Sequence, residues 1–142
     1  MFRYKLAVKL IAPSLKVRKS EPESIVYDTK TQSMVIGNYF DPNDYGFMRH
    51  LSQAHEFPEG LRYSYALWHI LHEIGHYFTE EKYGDNAGLR QWFKENGKLM
   101  IRNINIQNSF YNYREEWEAT EWAIAWIKKH KKKAAILNLL VR

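Results

Sequence analysis

His72-Glu73-Ile74-Gly75-His76 is the segment of the sequence whose residue types and spacing imply a definite chemistry. On a helix, side chains four apart point the same way, one turn above the other. Two imidazoles so placed can each offer a neutral nitrogen to one zinc ion, at bond lengths of about 2.0–2.1 Å. Glu73 directly follows the first histidine, so it leans toward the metal side and reaches a water there. Zinc lowers the pKa of such a water toward about 7, and a nearby carboxylate takes its proton as hydroxide forms. A chance H-E-x-x-H is expected in roughly one or two chains per hundred of this length and composition, so coincidence is the poorer explanation.

A catalytic zinc needs a third protein ligand and an open position. The chain has no cysteine, which leaves His, Asp or Glu for that place. Glu115, Glu116, Glu118 and Glu121 lie close together on a later helical stretch. Its core side carries Thr120, Ala123, Ile124 and Ile127, and Glu116 falls one turn before Thr120 on the same stripe. Glu118 is rotated away, toward Trp122 and Lys129. Glu115 joins Ala119 and Trp122 and stands second. Facing selects Glu116 as the third ligand, against the usual fate of a glutamate as a solvated surface carboxylate.

Three further residues are candidates to support a ligand or an oxyanion. His69 lies three positions before His72 on its stripe, Thr120 shares the stripe of Glu116, and Tyr113, with Tyr111, sits near the start of the Glu116 helix. The bland readings are a partly buried structural histidine and ordinary core or surface tyrosines. His50, His55 and His130 have no partner at ligand spacing and receive no role. Nucleophile arrangements of serine or cysteine and phosphate-cradling glycine loops are not visible.

Positioning these groups requires a long helix first. Leu67, Leu71, Ile74 and Phe78 recur at helical spacing with Trp68 beside them, which predicts a helix over residues 62–83. Gly84-Asp85-Asn86 supplies its C-cap signal. Gly75 inside it costs about 0.5–1 kcal/mol relative to Ala, which suggests close approach by another part of the chain. A second helical stretch covers residues 89–95 and stops at Asn96-Gly97, and residues 98–109 read as strand or loop. Asn112 and Glu115 resemble a capping box opening the helix of residues 113–129, whose broad face is Trp117, Thr120, Ala123, Ile124 and Ile127. Residues 134–141 form a closing strand or helix.

The first forty residues look strand-rich. Strands are expected at residues 24–27 and 34–36, joined by the polar turn 28–33, and residues 6–11 read as a strand or a short helix. Asp41-Pro42 has the form of an N-cap with proline at the first helical position, opening a short helix through Leu51. Phe57-Pro58-Glu59-Gly60 is a loop by its breakers. Strands first and helices later predict an α+β fold, a small antiparallel sheet packed on the H-E-x-x-H helix and the Glu-bearing helix.

The 142 residues, 17.0 kDa, fit one domain spanning 1–142 with a basic segment at about 128–142. Aromatics make up 15% of the chain, enough buried area for a core at this size. Disulfide and thiolate chemistry are excluded, and no run approaches the roughly 18 apolar residues of a membrane span. A soluble, cytoplasmic protein is expected, without a membrane partner. The net charge of +5 collects in Lys16, Arg18 and Lys19 and in Lys128, Lys129, Lys131, Lys132 and Lys133. Such runs are usually solvated, and with no base-reading motif nucleic acid ranks last among partners.

HEIGH in a helix, followed by Glu116-Trp117-Glu118-Ala119-Thr120-Glu121-Trp122-Ala123 on a later one, resembles the ImmA/IrrE metallopeptidases. Their pattern is H-E-x-G-H and then E-x-E-A-N-x-F-A, and the resemblance covers about residues 62–127. It implies a gluzincin-like site with one zinc per chain, Glu116 as third ligand and Glu73 as base. It also implies bacterial or phage origin and repressor-like regulatory proteins as targets. Thr120 stands where the family has Asn, and Trp122 where it has Phe. Ile127-Lys128-Lys129-His130 replaces the usual Leu-Leu-Met-Pro, and the interval between the motifs is long. The expected activity is cleavage of a protein or peptide, extended along the edge of the strand pair by zincin analogy. The alternative from another class is a non-catalytic zincin-fold module that docks a partner.

Overall fold

Helix α3 (Tyr65–Tyr83) is the spine on which the other elements assemble in the computed structural model, which describes residues 2–20, 25–37, 45–83, 87–100 and 103–142. Ala66, Leu67, Trp68, Ile70, Leu71 and Ile74 are all buried, so this helix is wrapped on more than one side. A helix apolar over most of its circumference belongs in a core. Trp68 is fully buried and its indole N–H donates to the Gly60 carbonyl at 2.7 Å. Gly60 lies in a 3-10 turn (Pro58–Arg62), where a loop was expected.

Before α3 come α1 (Phe2–Ile11), β1 (Lys16–Lys19), β2 (Ile25–Asp28), β3 (Ser33–Ile36) and α2 (Tyr45–Ala54). The strands β2 and β3 fall where two β-branched and apolar runs flank a polar turn, and pair antiparallel, with Tyr27 opposite Met34. The sheet is nevertheless mixed, because β1 joins the other side of β3 in parallel, giving the order β1-β3-β2. Lys16-Val17-Arg18-Lys19 carries three charges and a single half-buried apolar residue, Val17, too little for an apolar alternation. It is an edge strand, where lysines remain solvated while the backbone pairs. Residues 6–11 are helical, burying Ala7, Val8 and Ile11 at helical spacing. The Asp41-Pro42 signal and the 84–86 cap lie outside the described residues.

After α3 the chain is helical among the described residues: α4 (Ala87–Met100), α5 (Ile104–Tyr111), α6 (Arg114–Lys129) and α7 (Lys131–Val141). Three expectations fail here. Helix α4 runs through Asn96-Gly97, with the Asn96 side chain donating back to the Trp92 carbonyl. Residues 104–111 are neither strand nor loop. Asn103 caps α5 by accepting from the N–H groups of Asn105 and Ile106, which starts a helix despite the strand-like alternation. The capping box of α6 is also absent: Asn112 ends α5, and Tyr113 is the N-cap of α6 without a side-chain bond. The architecture is α+β, seven helices and one three-stranded sheet among the described residues.

Candidate metal centre

Helices α3 and α6 pack face to face, and the buried side of α6 is Glu115, Glu116, Ala119, Thr120, Ala123, Ile124 and Ile127. Two glutamates in that list are unusual, since carboxylates avoid burial unless paired. Glu115 lies 3.5 Å from the Arg114 guanidinium, and the partners of Glu116 are the histidines of HEIGH. His72 Nε2 lies 2.7 Å from Glu116 Oε2, and His76 Nε2 lies 2.9 Å from Glu116 Oε1. All three residues are buried. His72 Nδ1 lies 3.0 Å from the Thr120 hydroxyl, so one turn of α6 contacts both nitrogens of His72.

Glu73 sits at the margin of this cluster. One ligand atom each from His72, Glu73 and His76 falls within 4.8 Å of the others, a group that could hold a metal ion. The Glu73 carboxylate is engaged elsewhere as well. Its Oε2 accepts the Tyr27 backbone N–H at 2.8 Å, and its Oε1 is 3.7 Å from His69 Nε2. His69 Nε2–H donates to the Ile25 carbonyl at 2.6 Å. The outer edge of β2, expected to be open to an extended chain, is therefore occupied at Ile25 and Tyr27 by side chains of α3.

The donor set fits a divalent ion. Ligand atoms of a tetrahedral zinc lie about 3.3 Å apart, so Glu116 and the imidazoles need to part by only about half an ångström to admit one. Electrostatics agree. Burial alone would lower His76, but the carboxylate of Glu116, helped by Glu73 and Glu115, outweighs it and holds His76 at about 9. Burial would raise Glu116, yet His72 and His76 keep it well below the usual carboxylate range. A proton on His76 balances negative charge that a metal would neutralise more fully.

The site opens on two hollows. A smaller one of about 240 Å³ lies on the His72 side, lined by Phe47, Tyr65, His69 and Tyr111 among others. A larger one of about 820 Å³ lies on the His76 side, between residues 26–30 and the α4 residues Leu89, Arg90, Phe93 and Lys94. Glu73, Phe93, Phe110 and Glu116 border both, so a groove crosses the site. Its roof is α4 and α5, tied to the β2–β3 turn by Arg90 donating to Thr29. The long interval between the two motifs is thus what covers the site.

The remaining candidates separate. Thr120 and His69 are at the centre, and Tyr111 lines the smaller hollow. Tyr113 is elsewhere: its ring faces Trp92 and its hydroxyl packs against Gly88 of α4. Glu115 is buried behind Glu116, Glu118 pairs with Lys82, and Glu121 lies 2.7 Å from His55 Nδ1. His50 and His55, which spacing left without a role, are buried with Trp117, on which His55 stacks at 3.8 Å. Phe47, Phe93 and Phe110 line the groove without having been singled out. Their only sequence signal was an aromatic excess, which does not say where each ring lies.

Compared with protein-family models, curated proteins and solved structures, the chain matches none.

Proposed function

We propose that the protein is a zinc-dependent endopeptidase of zincin-like fold, in which His72, His76 and Glu116 hold the metal and Glu73 is the general base. One observation carries the reading: both imidazole Nε2 atoms converge on the two oxygens of a buried glutamate from another helix. Two His and one Glu form a recognised catalytic zinc donor set, and three protein ligands leave a fourth position open. When bound, zinc supplies a Lewis acid for the scissile carbonyl and lowers the pKa of a water toward about 7.

The chain's own residues do the rest. Tyr27 N–H fixes one oxygen of Glu73, leaving Oε1 to take a proton from the attacking water and return it to the leaving amine. Thr120 orients His72. Hollows on both sides of the site suit a polypeptide that continues in both directions, hence an endopeptidase. A repressor-like regulator remains the substrate class that the family resemblance implies.

The test combines metal content with cleavage of a proteome-derived peptide library. About one zinc per chain, lost in a His72→Ala/His76→Ala variant, is expected, with library cleavage that Glu73→Gln abolishes while keeping zinc. A Glu73→Gln protein that cleaves at the normal rate overturns the mechanism. The second reading, a non-catalytic docking module, draws on the Glu73–Tyr27 bond, which commits the base to the strand. Partner binding and biological effect that survive Glu73→Gln would favour it.

A further inference from the structure

Charge is segregated along the sequence to a degree that the net value conceals. Residues 1–20 and 122–142 carry twelve of the 21 Lys and Arg and none of the 16 Asp and Glu. The residues between them are net acidic, nine basic groups against sixteen acids. Folding brings the two basic segments together. Helices α1 and α7 pack antiparallel: Lys133 donates to the Leu10 carbonyl at one end, and Arg3 to the Arg142 carbonyl at the other.

Each helix buries one apolar face, Ala7, Val8 and Ile11 on α1 and Ala134, Leu137 and Val141 on α7. Each also carries apolar residues on its outer face. Phe2, Leu6 and Leu10 are spaced by four along α1, and Phe2 is 80% exposed. On α7, Ile136 and Leu139 are 67% and 63% exposed. Lysines flank both stripes, Lys5 and Lys9 on α1 and Lys131, Lys132 and Lys133 on α7. Beside α1 a hollow of about 580 Å³ is lined by Lys5, Lys9, Lys16 and Arg18. In that group Arg18 meets an acid, Asp28, the group's only such pairing among the described residues.

We propose that the α1–α7 face docks the protein on an anionic lipid bilayer. Exposed Leu, Ile and Phe flanked by lysines match the boundary between acyl chains and acidic headgroups, and the basic hollow suits a headgroup phosphate. Nucleic acid would use the lysines but leave the apolar stripes in water. No described helix is long and apolar enough to cross a membrane, so this is attachment at a surface. No residue of α1 or α7 lines either hollow of the metal centre, so attachment through this face leaves the groove open.

Co-sedimentation of the full chain with vesicles tests this, using phosphatidylcholine alone against phosphatidylcholine with about 30% phosphatidylglycerol. Binding is expected only to the anionic vesicles. Ile136→Ser/Leu139→Ser and Lys5→Glu/Lys132→Glu should each lower the partition coefficient at least tenfold, with unchanged circular dichroism. Both pairs are exposed, so the fold tolerates them. Equal binding to neutral vesicles, no binding at all, or serine variants that bind normally would each overturn the proposal. So would tight binding to a DNA duplex that ignores the serine substitutions, or a wild-type dimer that those substitutions dissociate.

Discussion

Gly75 of α3 and Ala119 of α6 meet so closely that a methyl group on Gly75 would overlap the Ala119 carbonyl oxygen and stand 3.0 Å from its Cα. Gly75 lies between the two histidines, and Ala119 is one turn beyond Glu116. This contact sets how near α6 approaches and at what height Glu116 meets His72 and His76. Gly75→Ala should therefore push α6 outward. We expect a loss of about 1–3 kcal/mol in stability from overpacking, and a zinc affinity at least tenfold weaker by chelator competition. An unchanged affinity would mean that Gly75 does not set the spacing.

Glu116 and Glu115 are neighbours on the same buried face, and only Glu116 touches the imidazoles. Glu116→Gln should abolish tight zinc binding, whereas Glu115→Gln should retain it within a few-fold. Removing one partner of a buried ion pair costs about 3–5 kcal/mol in other proteins, so thermal unfolding of Glu116→Gln without zinc should show a clear loss. Equal zinc binding by the two variants would remove Glu116 from the ligand set.

Metal binding must displace the proton that Glu116 holds on His76 up to about pH 9. Apparent zinc affinity should rise with pH by about tenfold per unit between the ordinary histidine value and 9. Calorimetry at pH 7 in buffers of different ionisation enthalpy should show proton release that includes His76. Without metal the stability sign is opposite. The pair's contribution is full below about 6.5 and is lost as pH rises through 9.

His50 provides a second, separate pH dependence. Burial, with a smaller push from His55, lowers it to about 4. It faces His55, Tyr111 and Trp117, and its Nε2 is buried without a hydrogen-bond partner. A group depressed in the folded state stabilises fully above its unfolded value of 6.5 and loses that contribution as pH falls through 4. The melting temperature should drop over that window, and His50→Phe should flatten the drop. The same acid slope in both proteins would assign the transition elsewhere.

Much of the centre was legible before folding. The four-residue spacing of His72 and His76 fixes their common face, and Gly75 announced a close neighbour that Ala119 supplies. The stripe of α6 pointed to Glu116, because one helix buries one face whatever it packs against. The pair β2 and β3 was legible because two short β-branched and apolar runs flank a polar turn, the local signature of a hairpin.

What escaped was set by partners distant in sequence. Lys16-Val17-Arg18-Lys19 becomes a strand only because β3 offers it an edge, and the wall of Phe47, Phe93 and Phe110 exists only once α4 and α5 fold over the site. Local spacing determines which side chains share a face, since helix and strand periods are properties of the backbone. Which faces meet, and that Tyr27 N–H holds Glu73 while Glu116 bridges two histidines, depend on packing between segments some 40 residues apart or more, which only the tertiary structure decided.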